Sequence, residues 1–349
     1  MQLRRLLALS ALAAFPLVAQ PNRITVAIDA HRTTLVRGQV HPLARPQFDQ
    51  GVVEDAFPLN NLSLTLGPSA EQQAALGSFL VSLQDPNSAD YQKWLTPQEF
   101  ADRFGPSPAD YAQVAAWLEG EGFTIQTRVP SRNWIAFSGT AGQARRAFGA
   151  DIHRYQVNGE PHFANANDPS VPEALAGLVA GFRGLHDFRL HPQHHTVHTA
   201  YTSGSGTHYL APDDVATIYS VAGLYSRGFD GTGQKLVVAG QTDVNIADME
   251  NFRTMFGLPA NDPQLMLVPG LPDPGISSSD IIEANLDLEW SGAVARKAAI
   301  FYVYSTNVLD AVQYAIAQNL APVISLSYGG CEAGGGAQQL QLLAQQANA

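Results

Sequence analysis

The sequence predicts an α+β unit followed by an α/β unit with a parallel sheet, and the second unit is expected to be incomplete. Up to about residue 186, short strand and helix patterns interleave without long strand–helix–strand repeats. From residue 209 onward, strands and helices alternate regularly, which is typical of a parallel sheet covered by helices on both faces. The sequence ends at Ala349 on a helical pattern with no strand after it.

Residues 1–20 predict a secretory signal peptide. Arg4 and Arg5 precede an apolar run from Leu6 to Val18, which is too short and wrongly flanked for a membrane-spanning helix. The segment after this run fits the small-x-small cleavage pattern poorly, so the processing point stays open. A buried N-terminal helix is the alternative. We expect the mature protein to be secreted, in an extracellular or periplasmic location.

The composition argues for a folded protein and against nucleic acid as a partner. The chain has 349 residues, of which 45% are hydrophobic and 15% charged, enough apolar material for a packed core. The formal charge of -11 and the lack of basic runs after the first residues disfavour phosphate binding. No later segment is apolar for long enough to span a membrane. Cys331 is the only cysteine, so no intramolecular disulfide can form.

The predicted α+β unit covers residues 40–186. Residues 61–66 alternate as a half-buried strand does, and an amphipathic helix follows with apolar side chains at helical spacing. The same spacing predicts a helix over residues 111–118, and two strands flank a proline turn after it. Residues 175–182 predict another amphipathic helix. No group of side chains in this unit has a catalytic pattern.

Histidines concentrate where the pattern of predicted strands and helices changes. Residues 186–208 hold six of the ten histidines, together with Gly204 and Gly206. We interpret residues 187–208 as an exposed linker. A metal site is an alternative for such a tract, although the ligand spacing is irregular. An acid-sensitive hinge is a third interpretation, because imidazoles become charged between about pH 8 and pH 5.

Beyond the linker, strand and helix patterns alternate up to the last residue. The strands are predicted at 235–240, 265–270, 299–305 and 322–330, and the helices at 246–257, around 283–290, at 307–318 and at 336–349. This order predicts one parallel sheet.

One predicted helix carries an unusual pair of carboxylates. In "EANLDLEW", residues 283–290, Glu283 and Asp287 are four apart, and like charges at this spacing destabilise an isolated helix slightly. The two side chains share a stripe with Trp290. Burial and mutual repulsion both raise a carboxyl pKa, so one member of the pair is expected to titrate abnormally and to shuttle protons. A structural acidic pair at a helix margin is the alternative.

A helical wheel places this pair at the border of the apolar face. Ile282, Leu286 and Ala293 form the predicted apolar face, and Asn285 and Gly292 the predicted solvent face. If both carboxylates were simply exposed to solvent, they would be expected on the side of the helix opposite the apolar face.

Paired carboxylates serve glycoside hydrolysis, aspartic-type proteolysis, metal binding or the activation of a serine. Glycosidase carboxylates rarely come from one helical turn, and no third metal ligand is marked nearby. An Asp-His-Ser triad within the second half is excluded because His208 is the last histidine. A carboxylate acting as base for a hydroxyl nucleophile remains.

Several stretches resemble the sedolisins, the serine-carboxyl peptidases. The mature-domain stretches are "YLAPDDVATIYSV" (209–221), "FDGTGQKLVVAGQTD" (229–243) and "VISLSYGGCE" (323–332), and the Glu-x-x-x-Asp helix lies between the last two. "LQDPNSADYQKWLTPQEFADRFGPS" (83–107) is similar to the family's propeptide, the pro-kumamolisin activation domain. The resemblance spans about 40–349, in the family's order.

The resemblance implies a ferredoxin-like propeptide domain over residues 40–186 and the N-terminal part of a subtilisin-like peptidase domain over 209–349. Glu283 matches the family's general base, and Asp287 matches the carboxylate that orients it. The implied activity is endopeptidase hydrolysis of proteins at acidic pH, kept in check by the propeptide. The family's calcium site has no counterpart in this sequence.

The sequence departs from the family by lacking the Gly-Thr-Ser nucleophile motif and the Ser-Gly-Asp stretch of the oxyanion aspartate. We therefore expect these 349 residues to be truncated before the nucleophile and inactive alone. The alternative is a non-catalytic remnant whose propeptide domain binds a peptidase as chaperone or inhibitor.

Overall fold

The computed structural model describes residues 20–192, 210–330 and 336–349. The predicted signal peptide up to residue 19, most of the predicted linker, and Cys331 lie outside the described residues. The strands are β1 (Thr33–Leu35), β2 (Asp49–Val52), β3 (Pro58–Leu66), β4 (Thr124–Arg128), β5 (Trp134–Thr140), β6 (Ile152–Val157), β7 (Glu160–Asn165), β8 (Ser170–Pro172), β9 (Val179–Arg183), β10 (His191–Pro192), β11 (Lys235–Gly240), β12 (Gln264–Leu267), β13 (Ala299–Tyr304), β14 (Ile324–Ser325) and β15 (Tyr328–Gly329). The α-helices are α1 (Ala70–Ser82), α2 (Pro97–Phe104), α3 (Pro108–Gly120), α4 (Ala141–Phe148), α5 (Pro212–Ile218), α6 (Ala222–Tyr225), α7 (Ile246–Met255), α8 (Ile281–Val294), α9 (Val308–Ala317) and α10 (Ala337–Asn348).

Residues 20–192 form an N-terminal unit of mixed α and β structure. Its main sheet has the order β4-β5-β3-β9 and is antiparallel throughout. A second antiparallel sheet has the order β2-β6-β7, and β1 pairs with β8. Leucines of β3 and aromatic residues of β5 and α4 fill one core, which also receives Ile24. The unit therefore extends upstream of residue 40, where the sequence analysis began it.

The helix predicted over residues 175–182 is wrong. Residues 179–183 are the edge strand β9, hydrogen-bonded to β3. The apolar spacing there matched a helical stripe, but pairing with an open sheet edge satisfies the backbone polar groups equally well. By contrast, the amphipathic helix predicted after residue 66 is present as α1, and the hydroxyl of its N-cap Ser69 accepts a hydrogen bond from the Gln72 backbone N–H.

Residues 210–349 form a C-terminal unit around a parallel sheet, as predicted. The order is β12-β13-β11-β14, and each pair of neighbours is parallel. In β11, Val237 and Ala239 pack under α9, while Val238 packs on the opposite face with residues of α7 and α8. Helices cover both faces because this strand is buried on both sides.

The last predicted strand is divided in two. β14 belongs to the parallel sheet, but β15 leaves it and pairs with β10 at the end of the N-terminal unit. In the predicted linker, Phe188 is buried and residues 191–192 are paired. Residues 187–192 thus differ from the exposed linker that the sequence predicts, because their apolar side chains and backbone groups find partners on both units.

The two units share a buried polar interface. Arg183 donates to Asp310 Oδ1 (2.7 Å) and to Gln313 Oε1 (2.6 Å) of α9. Asn61 donates to the Thr306 hydroxyl at 2.7 Å. Nearby, Ala317 is fully buried in a small apolar cluster with residues of β5. The C-terminal unit therefore relies on the N-terminal unit to cover α9.

Residues 209–349 expressed alone are expected to show no cooperative thermal transition. Without the N-terminal unit, Ala317 is uncovered and the partly buried carboxylate of Asp310 loses its Arg183 partner. The check is circular dichroism on heating. Residues 20–192 serve as the control and are expected to melt cooperatively, because their large core is self-contained. Cooperative melting of 209–349 would contradict the prediction.

No helix among the described residues is long and apolar enough to cross a membrane.

Candidate active site

Helix α8 holds Glu283 and Asp287 at the edge of its buried face. The helix packs on the sheet through Ala284 and Leu288, which join the core of that face. Glu283 is only 3% exposed, and Asp287 is partly buried one turn later. Glu283 therefore lies within the buried face and Asp287 at its border.

The wheel's assignment of the remaining faces is wrong. Ile282 and Leu286 are 58% and 40% exposed, whereas Gly292, predicted to face solvent, is buried. The reason is that α8 packs on α7 through polar groups. The guanidinium of Arg253 donates to the Gly292 carbonyl at 3.2 Å, and Asn285 donates to Asp248 at 3.2 Å. A wheel that counts apolar side chains does not detect this contact.

Asp287 is held by a serine from the neighbouring strand connection. The Ser327 hydroxyl, between β14 and β15, donates to Asp287 Oδ1 at 2.8 Å. Burial raises the pKa of Asp287 to about 6, the Ser327 hydrogen bond lowers it in part, and the charge of Glu283 raises it. Asp287 Oδ2 is buried and has no hydrogen-bond partner within the described structure. Asp287 thus carries a proton through most of the acid range.

Replacing Ser327 by alanine is expected to raise the Asp287 pKa further, by about one pH unit, because the lost hydrogen bond favours the ionised carboxylate. The measurement is a ¹³C NMR titration of the Asp287 carboxyl in the 349-residue chain. Ser327→Thr keeps the hydroxyl and is expected to leave the pKa near that of the parent. A lower pKa in Ser327→Ala would contradict the role of this hydrogen bond.

A third carboxylate lies immediately before α8 and was missed in the sequence. Asp280 is 2% exposed, and its Oδ2 accepts from the hydroxyls of Ser277 (2.6 Å) and Ser279 (2.9 Å). Its Oδ1 accepts from Gln241 Nε2 at 2.8 Å. Three donors therefore satisfy both oxygens of this buried side chain. The only local signal was the serine-rich stretch before the helix, which the sequence analysis did not use.

Glu289 and Trp290 lie on the α7 side of α8. Burial raises the pKa of Glu289 to about 7, and the charge of Asp248 adds to this effect. Trp290 packs edge-on against Phe252 at 6.2 Å between ring centroids. Trp290 is thus part of the contact between α7 and α8. The acidic neighbour of Glu289 is Asp248 of α7, which is separate from the Glu283–Asp287 pair.

No group of three or more histidine, cysteine, aspartate or glutamate side chains in the described part of the chain is arranged to hold a metal ion. The described residues therefore offer no fit for the calcium that the family resemblance implies. The histidines of the predicted linker that could ligate a metal, His194, His195, His198 and His208, lie outside the described residues.

Comparison with known proteins gives matches to both units. Residues 51–188 match the family model described as pro-kumamolisin, activation domain. Over 309 residues the chain is 30% identical to xanthomonalisin of Xanthomonas sp. (strain T-22). This alignment covers 81% of this chain and 37% of that protein.

Two further relatives have the same pattern of coverage. Sedolisin of Pseudomonas sp. (strain 101) is 27% identical, over 75% of this chain and 46% of that protein. Kumamolisin of Bacillus sp. (strain MN-32) is 24% identical, over 68% of this chain and 45% of that protein. The chain thus spans less than half the length of these relatives.

Proposed function

Since this chain is a sedolisin-family precursor, we propose that it is the precursor of a secreted serine-carboxyl endopeptidase that hydrolyses proteins in acid. The observation that carries the proposal is the buried pair of Glu283 and Asp287, in which Asp287 is held by Ser327 and keeps its proton up to about pH 6. We assign residues 1–20 to the signal peptide, the N-terminal unit built around residues 40–186 to the propeptide, the segment after it within 187–208 to the linker and 209–349 to the N-terminal part of the peptidase domain.

In this proposal Glu283 is the general base. It takes the proton from a serine hydroxyl as that oxygen attacks the scissile carbonyl, and Asp287 orients it. A protonated Asp287 places no negative charge beside Glu283. Above about pH 6, Asp287 ionises and the two like charges oppose each other. An acidic working range follows from this coupling.

The N-terminal unit is proposed to act as an inhibitory propeptide domain and to have a ferredoxin-like fold. The antiparallel order β4-β5-β3-β9, with helices in the connections between its strands, supports that fold. The pairing of β10 with β15 supports inhibition, because β15 follows Ser327 directly. In this proposal the end of the N-terminal unit restricts access to the carboxylate pair from the side of β15.

The test is hydrolysis of an unfolded protein substrate between pH 3 and pH 7 by the protein as its gene encodes it, after incubation in acid. The proposal expects peptide bond cleavage that Glu283→Gln removes. Equal cleavage by the parent and Glu283→Gln would overturn the assignment of the base. Absence of cleavage throughout, with inhibition of a second acid peptidase by the isolated residues 20–192, would favour the alternative of a non-catalytic inhibitor or chaperone.

A further inference from the structure

Strand β3 turns a polar face towards the C-terminal unit. Asn61, Ser63 and Thr65 alternate with leucines of the N-terminal core, so their side chains share the opposite face of the strand. That alternation is typical of a face in water, yet Ser63 and Thr65 are only 6% and 7% exposed. The C-terminal unit covers this face, and Asn61 donates a hydrogen bond to Thr306 of that unit. The other polar atoms of the face therefore need partners in a buried contact.

Three side-chain atoms in this contact are left over. Asn61 Oδ1, Ser63 Oγ and Trp134 Nε1 are buried, and none of them has a hydrogen-bond partner among the described residues. Trp134 belongs to the same face of the sheet, because Ser63 pairs with Ala136 of β5 and Trp134 is two residues before Ala136. Buried polar atoms in folded proteins are nearly always hydrogen-bonded to protein or to ordered water.

The same three residues line one small cavity between the two units. Its volume is about 20 Å³. From the C-terminal unit, the segment after β12 and helix α9 contribute to its lining with Val268, Pro269, Leu271, Asp310 and Gln313. A cavity of this size has room for one water molecule, whereas pockets for organic ligands are more than about tenfold larger.

The chemistry of the three atoms selects the occupant. An indole N–H only donates, a carboxamide oxygen only accepts, and a hydroxyl does either. Since Asn61 Nδ2 donates to Thr306, Oδ1 is its acceptor. The Trp134 N–H opposes a cation, and Asn61 Oδ1 together with the Asp310 carboxylate opposes an anion. Water fits the set, because it accepts from Trp134, donates to Asn61 and shares a hydrogen bond with Ser63, within the two to four partners typical of buried water.

We propose that this cavity is a binding site for one ordered water molecule, held by Asn61, Ser63 and Trp134 beneath α9. The water completes the hydrogen bonds of a polar strand face while the C-terminal unit covers that face. When the two units separate, bulk water supplies the same hydrogen bonds. The site thus suits one strand to a buried contact and to a solvated surface, and it does not depend on the proposed peptidase activity.

The first test is NMR of the 349-residue chain with ¹⁵N-labelled tryptophan. The Trp134 indole N–H is expected to show a cross peak with water that has opposite signs in NOESY and ROESY spectra, as contact with a long-lived bound water requires. Trp117 is the internal control. Its Nε1 is also buried without a partner among the described residues, but its ring packs on Phe148 and does not line this cavity. Absence of the peak at Trp134, or an equal peak at Trp117, would overturn the proposal.

The second test fills the cavity. Ser63→Val removes the hydroxyl and adds a methyl group, so the water is expected to leave and the Trp134 cross peak to disappear. Hydrogen–deuterium exchange in peptides covering 308–317 of α9 is expected to become about tenfold faster, because Asn61 and Trp134 then have no partner in the contact. Thr124→Val, at an exposed position of β4, is the control and is expected to change neither measurement. A cross peak that persists in Ser63→Val would overturn the site, and unchanged exchange after its loss would overturn the role of the water in the contact.

Discussion

Replacing Glu283 by glutamine is expected to lower kcat on protein substrates by about 10²-fold or more, because the proposed general base is lost while its shape is kept. The side chain is nearly fully buried on α8 beside Asp287. Glutamine cannot accept the proton of an attacking hydroxyl, so cleavage would depend on water alone. The measurement is a pH profile of kcat for the protein as its gene encodes it.

Glu289→Gln is the matched control for this experiment. Glu289 lies on the same helix, and burial raises its pKa to about 7, so a neutral glutamine resembles the state it has in acid. Its neighbours are on α7, away from Ser327 and Asp287. Its replacement is therefore expected to change kcat by less than about tenfold. If Glu289→Gln proves as damaging as Glu283→Gln, the assignment of the base is wrong.

Asp287→Asn belongs to the same experiment. Asparagine keeps the shape of the Asp287 side chain but cannot ionise. It therefore removes the negative charge that Asp287 carries at higher pH, where that charge repels Glu283. Asp287 is neutral below about pH 6 in the parent, so the acid limb is expected to stay in place and the alkaline limb to shift to higher pH. An unchanged alkaline limb would contradict the coupled pair.

The N-terminal unit is expected to lose up to about 3 kcal/mol of stability between pH 7 and pH 4 through His186 alone. Burial lowers the pKa of His186 to about 4, and the charges of His41 and Arg183 add to this effect. In the unfolded chain the imidazole takes up a proton near its ordinary pKa of about 6.5. The folded state therefore binds fewer protons, and its stability falls as the pH drops from about 6.5 towards 4.

The surroundings of His186 explain this penalty. His41 and His162 each stack on the Phe188 ring, with a distance of 4.3 Å between ring centroids. The ring centroids of His41 and His186 are 4.8 Å apart. Burial and the charge of His162 also lower the pKa of His41. Phe188 lies two residues before Leu190, so acid destabilises the part of the N-terminal unit from which the paired tail emerges.

The measurement is urea unfolding at pH 7 and pH 4, followed by tryptophan fluorescence, since three of the four tryptophans lie in the N-terminal unit. His186→Phe removes the titrating group and is expected to reduce the loss of stability by about 3 kcal/mol. His31→Phe, at an exposed position, should not change it. Equal pH dependence in the parent and His186→Phe would contradict the prediction.

Sequence alone determined the elements whose pattern is local. The alternation of strands and helices after residue 209 predicted the parallel sheet, because a strand buried on both faces reads as an apolar run. The i, i+4 spacing of Glu283 and Asp287 placed both carboxylates on one side of the helix, since helix geometry fixes that relation, but the wheel did not identify which face is buried. The family resemblance rested likewise on short contiguous stretches.

Only the tertiary structure decided which distant side chains contact the carboxylates of α8 and the adjacent Asp280. Ser327 is 40 residues from Asp287, and Gln241 is 39 residues from Asp280. Residues 179–183 became a strand, and residues 187–192 a docked tail, because partners on β3 and β15 were available. Hydrogen bonds between elements leave no periodic trace along a chain, so these contacts, and the pKa of Asp287 that depends on them, followed from the packing of the fold.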